Sequence, residues 1–142
     1  MLLKRIHPAF VVIVCVTVGI AAQSNDQELG SNRPDNRTIL GFHRDWESKC
    51  AETRLGKLSV ESTDVKLKDG RDALLWKFDL PERSSDLGRS SIFLTTINEN
   101  YVIVLAANAK SRNDEERVRQ FLVDAIGTLK VSSKPFPLPQ SP

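Results

Sequence analysis

The chain has 142 residues with 20 Lys+Arg, 18 Asp+Glu and a formal net charge of +2. That excess comes from Lys4 and Arg5, so the remainder holds 18 basic and 18 acidic residues. A neutral, mixed surface argues against nucleic acid, which requires a basic stripe to displace counterions, and gives no support for an anionic membrane surface. The length suits one ordinary domain and hardly two.

The first 22 residues, MLLKRIHPAFVVIVCVTVGIAA, begin with two cations. They continue through an uncharged run from Phe10 to Ala22 and end in small residues. This is the pattern of a secretory signal peptide, with cleavage expected after Ala21 or Ala22 and a secreted or periplasmic destination. The run is shorter than the ~20 apolar residues that cross a bilayer, so no membrane span is expected after cleavage; the alternative is an uncleaved signal anchor. Cys15 lies inside the apolar run behind Val14, which disfavours a lipoprotein signal. Its removal leaves Cys50 as the single thiol, which excludes a disulfide-stapled scaffold.

Residues 23–37 are polar, with Gly30 and Pro34, and read as a flexible leader. Asn36-Arg37-Thr38 is an N-glycosylation sequon, meaningful at Asn36 in a eukaryotic source. A single domain is expected over residues 38–131.

The spacing predicts a first helix over Ile39–Leu55. It contains FHRDWESKC, in which His43, Glu47 and Cys50 fall at i, i+4 and i+7, near one side. A thiol, an imidazole and a carboxylate on one face suggest a metal or nucleophile site. Helix rise opposes this, because seven residues separate His43 from Cys50 by about 10 Å, far beyond a shared ion or a hydrogen bond. Ile39, Phe42, Trp46, Cys50 and Thr53 instead form one stripe. It is read as the seam that packs on the core, with Cys50 as a small buried hydrophobe at its edge and Arg44, Asp45 and Glu47 in solvent.

Val65–Lys68 alternates apolar and polar residues, and Asp69-Gly70 supplies a hairpin turn. Ala73–Leu80 returns, with Leu74, Trp76, Phe78 and Leu80 on one face and Ala73, Leu75, Lys77 and Asp79 on the other. The aromatic set Trp46, Trp76 and Phe78 fits core packing before a ligand cavity. After Pro81 comes a polar loop, in which Arg83 and Arg89 could grip an anion but read as solvated. Ile92–Ile97 and Tyr101–Ala107 are two further strands. The second, YVIVLAA, is apolar on both faces and therefore central. The last helix is expected over Asp114–Lys130, with Val118, Phe121, Leu122, Ala125, Ile126 and Leu129 on one face and an Asn113–Glu116 capping box. Glu115 and Glu116 read as helix-start residues before acid–base candidates. Ser132–Pro142, with four prolines in eleven residues, is a Pro-rich disordered tail.

The order helix, four antiparallel strands, helix gives an α+β fold. The expected form is a sheet of about four strands covered on one face by the C-terminal helix and a shorter N-terminal helix. No GxSxG, Walker A or HExxH motif occurs, and outside the signal there is one His and one Cys. No catalytic, cofactor-binding or metal residues are assigned, and no cofactor is expected.

The span KDGRDALLWKFDLP through to GTLKVSSKP, within residues 58–135, resembles the exported PsbP-like domains, α/β accessory proteins of the lumen and periplasm. The likeness lies in element order and texture and transfers no functional residues. It implies a non-catalytic role in binding or assembly. The expected function is an exported, non-enzymatic accessory domain with a protein partner. The alternatives are a carrier of a small apolar ligand between sheet and helix, or a small enzyme using His43 or Cys50.

Overall fold

The computed structural model describes residues 34–99 and 101–129, together with the backbone of Val12–Val16. The expected cleavage after Ala21 or Ala22, most of the expected leader and the expected Pro-rich tail fall outside these residues. The elements are β1 (Val12–Val16), α1 (Asn36–Leu55), β2 (Val60–Lys66), β3 (Asp72–Asp79), a short 3-10 helix (Glu82–Leu87), β4 (Ser90–Asn98), β5 (Tyr101–Ala109) and α2 (Arg112–Thr128). The fold is α+β with an antiparallel sheet in the order β1-β5-β4-β3-β2. Four of its strands match the expected number and order; β2 starts five residues earlier than the expected Val65 and ends at Lys66, with Leu67 and Lys68 in the turn. The fifth, β1, comes from within the expected signal peptide and lies along β5.

The strands follow from local chemistry. Gly70 takes φ 88° in the turn between β2 and β3, where its N–H bonds the Leu67 carbonyl at 2.9 Å. Gly88, at φ 120°, lies where a Cβ would stand 2.8 Å from the Ala109 carbonyl oxygen. Only glycine allows the 3-10 helix to run into β4 that close to β5.

The two helices cover opposite faces of the sheet, which corrects the expectation of helices on one face. Leu40 of α1 clusters with Leu74, Trp76, Phe78, Ile97, Val102 and Val104. Val118, Leu122 and Ile126 of α2 cluster with Ala73, Ile92, Leu94, Leu105 and Ala107. Successive strand residues alternate sides, so these are two cores separated by the sheet. The cause is that β5 is apolar on both faces and β3 carries apolar residues on both, and each face requires cover. The N-terminal helix is also the longer of the two, 20 residues against 17.

On the α1 side, Trp76 stacks on Phe93 with ring centroids 4.0 Å apart, and its indole N–H donates to Thr95 Oγ1 at 3.0 Å. On the α2 side, the helix starts two residues before the expected Asp114, with Ser111 in the N-cap position. The Asp114 carboxylate accepts from the Lys110 N–H at 3.1 Å, in place of the predicted Asn113–Glu116 box. Phe121, expected on the buried face, is 48% exposed; Val118, Leu122 and Ile126, one turn apart, dock the helix without it.

Candidate interaction surface

α1 is firmly held at both ends. Asp35 caps it, its Oδ1 accepting from the Thr38 N–H at 2.8 Å, and that bond holds the Asp35 carboxyl below its usual range. At the other end Gly56, at φ 85°, donates its N–H to the Glu52 carbonyl at 2.9 Å. The Arg83 guanidinium reaches over from the 3-10 helix to the Leu55 carbonyl at 2.8 Å. Arg83 thus ties a helix end rather than sitting free in a loop. Along its flank, Arg44 donates to Ser62 Oγ of β2 at 2.7 Å.

This anchoring fixes which side of α1 meets the sheet, and it is not the side the sequence suggests. Leu40, His43 and Ser48 are buried, and Ala51 and Leu55 pack against the same core. Phe42 is 63% exposed and Trp46 58% exposed, and the Cys50 thiol is exposed too. The expected seam of Phe42, Trp46 and Cys50 is therefore the outer face. The reason is volume. The sheet beneath α1 already carries the Trp76, Phe78 and Phe93 rings, so close packing selects a helix face of medium and small side chains.

Phe42 and Trp46 stand one turn apart, about 6 Å along the axis and about 40° around it. Asp45, Lys49 and Thr53 flank them in solvent. Two large rings with a polar rim have the composition of an interface core. Their neighbour Cys50 is seven residues from His43, and the two differ in environment, one in solvent and one buried.

His43 has no hydrogen-bond partner on either ring nitrogen. Its Nε2 lies 3.7 Å from Glu47 Oε1, too far for a hydrogen bond. Burial lowers the His43 pKa, and burial raises that of Glu47. His43 is a buried part of the α1 footing, its side chain 4% exposed, whereas Glu47, expected in solvent, is half-buried beside it with 26% of its side chain exposed.

A polar cluster that sequence reasoning missed lies under α2. Lys77 Nζ contacts both Glu115 carboxylate oxygens at 3.2 and 3.0 Å, and Ser90 Oγ donates to Glu115 Oε1 at 3.0 Å. Desolvation pushes the Glu115 pKa up, but the Lys77 and Ser90 hydrogen bonds and the Lys77 charge outweigh it and hold it low. The signal was present in the alternation Ala73, Leu75, Lys77, because a cation on an inward face demands a partner. Both carboxylate and hydroxyl are buried, and the cluster joins helix to sheet.

Asn36 is the first residue of α1 and is exposed. Trp76 and Phe78 are core residues. Arg89 lines, with Asp79, Glu82 and Lys110, a surface cleft of about 300 Å³ whose charges of both signs select no ion. Among the described residues no group of three His, Cys, Asp or Glu could hold a metal, and no helix is long and apolar enough to cross a membrane. No family model, curated protein or solved structure matches the chain, and the resemblance to PsbP-like domains rests on element order alone.

Proposed function

We propose that the chain is an exported, non-enzymatic accessory domain that binds a partner protein through the outer face of α1. The observation that carries this reading is the pair Phe42 and Trp46, large rings held in solvent on a helix whose opposite side packs on the sheet. The largest exposed apolar patch of a protein is often a functional one, and tryptophan is among the residues that dominate binding energy at interfaces. The partner this face fits presents an apolar groove wide enough for two rings, with polar groups at its rim to meet Asp45 and Lys49. Export to an extracytoplasmic compartment is supported by the N-terminal sequence pattern, and the PsbP-like texture agrees with an accessory role.

The enzyme reading is weakened by the burial of His43 and its distance along the helix from Cys50. The carrier reading is weakened by the stack of Trp76 on Phe93, 4.0 Å apart, within the apolar cluster that Leu40 of α1 joins. The test is affinity purification of the tagged mature chain from its own compartment, alongside a Phe42→Ser/Trp46→Ser variant. Recovery of a defined protein by the parent chain and its loss in the variant, at equal thermal stability, is the expected result. Equal recovery by both would refute α1 as the contact.

A further inference from the structure

The sheet has two edges, and they are built differently. β2, at one end, carries Glu61, Asp64 and Lys66 and is mostly exposed; charges of this kind discourage a further strand from adding on. β5, Tyr101–Ala109, carries no charge and no proline. Val102, Ile103, Val104 and Leu105 are buried on its two faces. β5 escapes being an edge only because Val12–Val16 pairs with it, antiparallel, from Val12 opposite Ala106 to Val16 opposite Val102.

The backbone directions can be assigned. The Ala109 carbonyl accepts from the Arg89 N–H at 2.7 Å, on the β4 side. Hydrogen-bonding direction alternates along an antiparallel strand. Tyr101, Ile103, Leu105, Ala107 and Ala109 therefore bond toward β4, and Val102, Val104, Ala106 and Asn108 point their N–H and C=O groups outward, toward β1. Removal of residues 1–22, on which this inference rests, takes β1 away and leaves those outward groups unpaired along an uncharged, buried-sided strand.

We infer that the outer edge of β5 pairs with β5 of a second copy, joining two four-stranded sheets into one. A strand seated on this edge runs antiparallel to β5, and a two-fold axis pairs a strand with itself in that sense. The β1 footprint is centred on Val104. A two-fold at the same point sets Val104 opposite Val104 and Val102 opposite Ala106 of the other copy. Because the strand is uncharged, self-pairing places no like charges across from one another.

The test begins with the N-terminal residue of the exported protein, read by mass spectrometry. A chain that retains residues 1–22 would overturn the inference at its premise, since β1 then keeps the edge. For the chain beginning at Gln23, sedimentation and native mass spectrometry at micromolar concentration are expected to show a dimer. Ala106→Pro removes an outward N–H, and proline is tolerated where the N–H faces an open edge. It is expected to weaken the dimer by at least about tenfold while the circular dichroism spectrum is kept. A synthetic peptide spanning residues 9–19 is expected to convert dimer to a monomer–peptide complex, and a scrambled peptide to leave the dimer intact. The peptide result decides the matter should Ala106→Pro disturb folding. A monomeric mature chain, or a dimer indifferent to the β1 peptide, would contradict the inference even with residues 1–22 confirmed absent.

Discussion

His43 shows at the scale of one residue how function can be misread from composition. Its ring is buried with both nitrogens unpaired, and an unsatisfied buried polar group costs about 1–3 kcal/mol. His43→Leu is therefore expected to raise stability by about 1 kcal/mol at pH 7, about 4 °C in Tm. Burial depresses the folded pKa below the ordinary 6.5, so the unfolded chain binds the proton first. The stability this group allows is present above pH 6.5 and is lost as pH falls below it. Glu47 acts oppositely, since burial raises its folded pKa above 4.5 and its charged form is the strained one. Thermal melts from pH 7.5 to 5 should show the gap between His43→Leu and the parent chain widening as pH drops; a constant gap would contradict the burial of a neutral imidazole. From sequence, the helix position of His43 and its separation from Cys50 were legible. Its burial was not, because Leu40-His43-Glu47-Ala51 has the same spacing as Ile39-Phe42-Trp46-Cys50 and contains fewer apolar letters. The choice between these faces is made by the rings already present on the sheet.

Between elements, α2 is held by apolar residues spaced at one-turn intervals and by the Lys77–Glu115–Ser90 cluster. Removing one member of a buried ion pair leaves the other charge stranded. Glu115→Ala is expected to cost about 3 kcal/mol in urea unfolding, at the lower end for such pairs, because Asp79 and Glu61 stand 3.6 and 3.8 Å from Lys77 Nζ. A Lys77→Met/Glu115→Leu double variant should cost less than Glu115→Ala alone. Because the folded pKa of Glu115 is held below 4.5, its contribution is present above pH 4.5 and disappears as pH falls through the folded value. Gly88→Ala should destabilise by about 1–3 kcal/mol, since φ 120° and the Ala109 carbonyl oppose a side chain there. The strand order and the Asp69-Gly70 turn could be read from alternation and turn chemistry. The two-sided layering could have been read as well, since β3 and β5 both carry apolar residues on both faces.

Across the whole molecule, the side chains that hold the fold and the exposed aromatic pair Phe42 and Trp46 occupy different surfaces. Trp76, 1% exposed, stacks in the core, and Trp76→Ala is expected to cost about 3–5 kcal/mol. Trp46, on the opposite side of α1, should cost little, within about 0.5 kcal/mol for an exposed substitution. The α+β class followed from element order, whereas the outward aromatic pair could not be read from sequence, because periodicity marks a stripe without saying which way it faces. The most direct measurement incorporates a photo-reactive amino acid at position 46, and separately at the exposed position 68 of the β2–β3 turn, and irradiates cells that express the protein. A defined protein adduct at position 46, absent at position 68 and suppressed by Phe42→Ser, is the predicted result. Equal or absent cross-linking at the two positions would contradict α1 as the binding face.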